Sequence, residues 1–237
     1  VILPFGAIEQ HGPALPLGTD TLGAIAVARA AAREVGAICA PVVFPGLSSH
    51  HMAFPGTITF SEETFSRIVM DAASSLAQHG FRRILLSNGH GGNEATLTYL
   101  AYRITKETPA SALVFGIAEL RKIYLTAEID KLDIHAGIGE TSSMLYQQPA
   151  LVRREKIQKP VMTLDPWRER LLGQVRQDPS LLRYVTLKLP ALHEISSNGC
   201  ITYGDPAHGS VERGRELFEA FIAAMAAFIR AWESATT

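Results

Sequence analysis

Four short apolar runs, Val1 to Phe5, Ile38 to Phe44, Arg82 to Ser87 and Ala112 to Ile117, are rich in β-branched residues and read as buried strands. Longer stretches between them carry a helical period. An Ala-rich helix runs to about Val35, with Asp20 placed to cap its start. Ser61, followed by Glu62 and Glu63, opens a second, since a hydroxyl cap and early acids suit the exposed amides of a first turn. Phe65, Ile68, Val69, Ala72 and Leu76 form its inner face. A third spans about Asn93 to Lys106. The last runs from about Val211 to Trp232, its apolar face made by Leu217, Phe218, Phe221, Ile222, Met225, Phe228, Ile229 and Trp232. Strands alternating with helices imply right-handed crossovers. The predicted fold is α/β: three layers, with a mostly parallel central sheet and helices on both faces.

Arg153 to Leu189 break this pattern, with many charges and with Pro160, Pro166 and Pro179. This segment reads as a surface excursion with one short helix near Trp167 to Val175. No repeat or linker divides the chain, so residues 1–237 read as a single domain. Composition mainly excludes. With 22 Lys+Arg against 23 Asp+Glu among 237 residues, the basic excess of a nucleic-acid binder is missing. The longest apolar run, Ala220 to Ile229, falls short of the roughly 18 residues that suggest a membrane span. No signal peptide is evident, and a few residues are expected to precede Val1, since no initiator Met is present. Cys39 and Cys200 cannot build a disulfide framework or a thiolate zinc site alone, and they fit a reducing, cytoplasmic setting.

The chemistry collects in three polar clusters close to apolar runs. Ligands of open α/β sheets bind beyond the carboxyl ends of strands, which gives that placement weight. The first cluster is Glu9-Gln10-His11-Gly12, continued by Gly18-Thr19-Asp20. The second, Asn88-Gly89-His90-Gly91-Gly92-Asn93, follows its strand without a gap. The third runs from Asp133-Ile134-His135 to Glu140-Thr141-Ser142. Glu9, His11, Asp20, His90 and Glu140 together supply three carboxylates and two imidazoles. That set suits a pair of divalent ions per subunit, Zn, Mn or Fe, and lacks soft thiolates. Taken singly, Asp20 could be a helix cap and His90 part of a phosphate-cradling turn, although no nucleotide motif accompanies it. His51, preceded by His50, could line a substrate pocket or stand in an exposed loop. His208 is placed to serve the start of the last helix, while His79 and His193 read as structural or solvated. No nucleophilic Ser or Cys is evident.

The chain resembles the creatininase family of metal-dependent amidohydrolases. The likeness rests on Leu3-Pro-Phe-Gly-Ala-Ile-Glu-Gln-His-Gly-Pro13, Leu15-Pro-Leu-Gly-Thr-Asp-Thr21, Phe54-Pro-Gly-Thr-Ile58, Asn88-Gly-His-Gly-Gly-Asn93, His135-Ala-Gly-Ile-Gly-Glu-Thr-Ser142 and Gly204-Asp-Pro206, in family order. It implies that Glu9 and His11 each serve a different ion, that Asp20 bridges both, and that His90 shares the ion of Glu9. Creatininases proper place a second-ion carboxylate two residues after the counterpart of His90, within N-G-H-Y-E-N. Gly92 stands there in this chain and Gly91 replaces the tyrosine, so Glu140 is expected to be that ligand. His135 matches the histidine that hands a proton to the leaving nitrogen.

The expected reaction is attack of a metal-bridging hydroxide on an amide carbonyl, with His135 and Glu140 as the catalytic groups. Substrate is expected to contact His51, Gly91 and Gly92. The N-G-H-G-G-N form is more like family branches that deformylate formylamino-pyrimidines or trim a mycofactocin precursor than like those acting on creatinine. The resemblance implies a small-molecule or peptide-like amide substrate and a homo-oligomer, often hexameric in this family. Two readings from other classes stay open: a metal-binding protein without catalysis, and a two-metal phosphoesterase. Against the latter, Arg82 and Arg83 lie at the far end of their strand.

Overall fold

The computed structural model describes residues 1–116, 133–163, 165–178, 191–202 and 204–235. Its main sheet is parallel, in the order β1 (Ile2–Phe5), β2 (Arg83–Asn88), β3 (Ser111–Gly116). Helices α1 (Thr19–Val35), α2 (Glu62–Gln78) and α3 (Glu94–Glu107) connect these strands or precede them. A second, two-stranded antiparallel sheet joins β4 (Asp133–His135) to β5 (Ile201–Thr202). Helices α4 (Ile138–Gln147), α5 (Pro166–Gln177) and α6 (Val211–Ser234) complete the fold. Among the described residues, no helix is long and apolar enough to cross a membrane.

The period of two along a strand explains why the strands read as unbroken apolar runs. Leu3, Phe5, Ile84 and Leu86 face Phe65 and Val69 of α2 and Leu97, Leu100 and Ile104 of α3. Their neighbours Ile2 and Leu85 face the other way, onto Ala24, Val27, Ala28 and Ala31 of α1 and Leu217, Phe221 and Met225 of α6. A sheet covered on both faces needs apolar residues at every position. The alanines of α1 let that helix lie close to the strands. Ser61 caps α2 as its position predicts, its Oγ accepting the Thr64 N–H at 3.2 Å.

Several expectations need correction. Ile38 to Phe44 forms no continuous strand. Cys39 bridges to Ile2 and Val43 to Phe5, with the register slipping by one residue between the two bridges. Pro41 lies in the slip and has no N–H to give a ladder. Ile38 and Phe44 are also more than half exposed, as an interrupted edge allows. Asp20 is not the cap of α1: Gly18 holds that place, and Asp20 sits inside the first turn with its carboxylate elsewhere. Ser210, not His208, caps α6 by accepting the Arg213 N–H. Ile117 lies outside the described residues, as do residues 164 and 179–189 of the charged segment.

Helices α4 and α6 cross at Gly214, where an added Cβ would overlap the Ser142 carbonyl. Gly23 of α1 has nothing within 4 Å of that position. The same substitution should therefore have opposite signs at the two sites. Gly23→Ala should stabilise by about 0.5–1 kcal/mol through helix propensity. Gly214→Ala should destabilise by about 1–3 kcal/mol through overpacking. Denaturant midpoints of both variants test this.

Candidate metal centre

Three loops at the carboxyl edge of the main sheet deliver the groups. The loop after β1 carries Glu9 and His11 and runs on to Asp20 in α1. The turn after β2 carries His90, and the β4–α4 junction carries His135 and Glu140. All six are buried, with exposures of 7% or less. The expected ligands thus come together from positions scattered over more than half of the sequence.

Backbone carbonyls decide how the rings point. His11 Nδ1–H donates to the Glu9 carbonyl at 3.1 Å. Its Nε2 therefore faces Asp20 Oδ1 at 3.3 Å and Glu140 Oε2 at 3.7 Å. His90 Nε2–H donates to the Leu47 carbonyl at 3.1 Å, which leaves Nδ1 2.9 Å from Asp20 Oδ2. His135 Nε2–H donates to the Gln10 carbonyl at 2.6 Å, leaving Nδ1 3.8 Å from Glu9 Oε1. A carbonyl behind one ring nitrogen is the usual device for aiming the other at a metal. Glu140 is aimed by the Ala136 N–H, which donates to its Oε2 at 2.6 Å. Ala136 has φ of 49°, the left-handed turn that swings the chain from β4 into α4.

Among the described residues, four sets of three groups lie close enough to share an ion. Two of them, Glu9 with Asp20 and His90 and His11 with Asp20 and Glu140, have Asp20 in common. The other two are Glu9 with His11 and His135, and Glu9 with His50 and His51. Two buried carboxylate oxygens, Glu9 Oε2 and Asp20 Oδ2, lack any hydrogen bond of acceptable geometry. Leaving such atoms orphaned is costly, and a cation is their natural partner. The donor set, hard oxygens with imidazoles, fits Zn, Mn or Fe.

Charge makes the same point. Burial works against a charged His11, yet Asp20, Glu140 and Glu9 raise its pKa to about 9. Burial likewise opposes a charged His90, and Glu9 and Asp20 hold it well above its ordinary value. Asp20 is held well below the usual carboxylate range by His11 and His90, against burial. Without metal, protons on these imidazoles balance the carboxylates. Metal must displace them.

The sign of the pH effect follows. Because the folded pKa of His11 exceeds the unfolded 6.5, its contribution to metal-free stability is complete below about pH 6.5 and is lost as pH rises through about 9. Metal affinity should climb over the same window. Thermal melts of metal-free protein should fall from pH 6.5 to 9, while calorimetric Kd values for Mn²⁺ should tighten. A flat Kd across that range would contradict this account.

The residues expected at substrate are placed differently from one another. Gly91 is exposed, with nothing within 4 Å of where a Cβ would stand. At Gly92 a Cβ would overlap the Leu47 carbonyl and the His90 imidazole, so a glutamate there would displace the ring. The loop is therefore open at Gly91 and closed at Gly92. His51 is buried, not in an exposed loop, with Nε2 3.2 Å from Glu9 Oε1. His79, His193 and His208 are exposed. The Cys200 thiol is pushed up to about 11 by burial and by Glu140, and neither cysteine is a ready nucleophile.

Three supporting residues were not assigned roles from sequence. Asn93 Nδ2 donates to the Gly6 carbonyl at 3.0 Å, and its Oδ1 accepts the Leu47 N–H at 2.9 Å. Asp133 accepts the Ile138 and Gly139 N–H groups at 3.0 and 2.7 Å and so holds the start of α4. Gln10 reaches Gly12, His51 and Gly199. Their only signal in the sequence is position beside a proposed ligand or at a helix start.

Known proteins resemble this chain over nearly its whole length. The family model for creatinine amidohydrolase, Creatininase, matches residues 1–229. The mycofactocin precursor peptide peptidase of Mycobacterium tuberculosis is 30% identical over 232 residues, covering 94% of this chain and 81% of that protein. The creatinine amidohydrolase of Pseudomonas putida is 30% identical over 186 residues, covering 70% of this chain and 72% of that one. A solved creatininase in an Mn form superposes with a TM-score of 0.78 at 25% identity, covering 97% of this chain and 89% of its own. A variant creatininase of Zn-Zn type gives 0.76 at 25% identity over 97% and 89%. On the strength of the whole-chain match, the shared fold and the acid–histidine centre, the chain belongs to the creatininase family of hydrolases.

Proposed function

We propose that this centre holds two divalent ions, Zn, Mn or Fe, and hydrolyses a C–N amide bond in a small-molecule or peptide-like substrate. The observation that carries this reading is the position of Asp20, shared by two three-residue sets and bearing an orphaned oxygen. Glu9, Asp20 and His90 would hold one ion, and His11, Asp20 and Glu140 the other. Three buried carboxylates with neutral imidazoles leave a charge that two divalent cations offset. Such ions supply a water made nucleophilic near neutral pH and a Lewis acid for the carbonyl oxygen.

The chain's own groups do the rest. His135, with Nε2–H anchored on the Gln10 carbonyl, presents the lone pair of Nδ1 to the centre. Burial and the neighbouring His11 lower its pKa, which keeps the ring neutral at pH 7. Nδ1 first takes a proton from the attacking water as its oxygen bonds to the carbonyl carbon. It then returns that proton to the nitrogen as the C–N bond breaks, because an amine leaves poorly unless protonated. This adds a base role to the acid role expected from the sequence. Gly91 is exposed and has open space where a side chain would stand, which leaves room for substrate in this reading.

The peptidase and formylamino-pyrimidine deformylase branches guide the choice of substrates to test, since Gly92 has no room for the creatininase-type carboxylate. The test is metal analysis combined with turnover of creatinine, formamides, C-terminally extended peptides and phosphoesters. Two ions per chain with amide turnover are expected. Phosphoester turnover alone, or metal without any turnover, would overturn the proposal. Arg82 and Arg83 sit at the amino end of β2, away from the centre, so neither of these two is set for phosphate there. Assembly into a homo-oligomer is part of the same proposal, and light scattering should give a mass several times 25.7 kDa.

A further inference from the structure

Gln10 lies between two proposed ligands, yet its carboxamide turns away from the ion space. Its Oε1 accepts the Gly12 N–H at 2.9 Å, and its Nε2 donates to the Gly199 carbonyl at 3.2 Å. Exchanging oxygen and nitrogen would set donor against donor at Gly12 and acceptor against acceptor at Gly199. Two backbone groups therefore fix the amide's orientation. The second Nε2 hydrogen is left for His51 Nδ1, 3.1 Å away, which must then accept. A neutral imidazole carries one N–H, so that hydrogen sits on His51 Nε2, 3.2 Å from Glu9 Oε1. Thr57 keeps the two loops in register: its Oγ1 accepts the Gln10 N–H at 3.3 Å and donates to the His51 carbonyl at 3.2 Å. Gly199 has φ of 77°, and any Cβ there would overlap the Gln10 carboxamide.

We propose that Gln10 and His51 form a positioning relay, in which the backbone-fixed carboxamide holds His51 with its proton on Nε2 and that N–H engages Glu9 Oε1, leaving Oε2 for the space shared with Asp20 and His90. His51 is then neither an ion ligand nor a substrate contact. The nearby set of Glu9, His50 and His51 holds no third ion, because the nitrogen facing Glu9 carries a proton. The effect on metal rests on the two-ion reading above, whereas the tautomer does not.

Two measurements separate them. Long-range ¹H–¹⁵N NMR of metal-free protein, with His51 identified by loss of its signal in His51→Gln, should show the Nε2–H form. In Gln10→Glu an acceptor faces Nδ1, and the proton should move there. Calorimetric titration with Mn²⁺ should show binding weakened about 10–100-fold in Gln10→Met and His51→Phe, as for loss of a partner behind a ligand. His51→Gln keeps an N–H at similar reach and should recover most of the affinity. Melting curves identify any variant that fails to fold, and Gln10→Met then carries the test if His51→Phe does. An Nδ1–H tautomer in the parent protein, or Mn²⁺ bound equally well by His51→Phe, overturns the relay. If the parent protein takes up no Mn²⁺, the two-ion function fails and the NMR result alone decides the relay.

Discussion

Asp20→Asn should abolish binding of the second ion and lower kcat/KM by more than about 100-fold, the upper end of what loss of a mere supporting partner costs. The substitution keeps the shape of the side chain and removes one charge. Asp20 lies 3.3 Å from His11 Nε2 through one oxygen and 2.9 Å from His90 Nδ1 through the other. No other carboxylate belongs to both of the sets described for the two ions. Loss of either Glu9 or Glu140 should instead leave one ion bound. Metal analysis of the three variants checks this ordering. Two ions retained by Asp20→Asn would sink the shared-ligand assignment.

The second large effect concerns His135. His135→Ala should reduce kcat by about 10²–10⁴-fold, the range for a positioned proton-transfer group, with KM and metal content little changed. Its pH profile adds a sharper readout. On the proposed mechanism neutral His135 would be the active form, and burial and His11 lower its pKa below 6.5. Activity of the parent enzyme should therefore hold through neutrality and fall only on the acid side, below about pH 6.5. The variant should lose that limb. If His135→Ala kept full turnover with both ions bound, the ring would be only a prop for its neighbours.

Much of the fold was legible because the physical signals were local. The cap at Ser61, the period of α2 and the apolar face of α6 each depend on residues within a turn or two of one another. Ile38 to Phe44 misled because composition alone marks a strand, while Pro41 and the position at the sheet edge decide whether a ladder closes. β4 and β5, with three and two residues, are too short to leave a periodic trace. Their pairing nevertheless sets where His135 points.

The centre divides in the same way. The residue types, carboxylates and imidazoles in glycine-rich loops, could be read from the sequence, and with them the family. Sequence determined the ligand chemistry because a donor atom is a property of its side chain. Glu140 was already expected from the sequence, because the glycine at position 92 carries no donor; the tertiary structure alone decided which donors lie close enough to share an ion and that His51 is turned onto Glu9. Those outcomes depend on distances across loops separated by tens to more than a hundred residues, and on backbone carbonyls at Glu9, Gln10 and Leu47 that fix each ring. A carbonyl's direction is a consequence of the folded chain and is written nowhere in the identity of the residue that bears it.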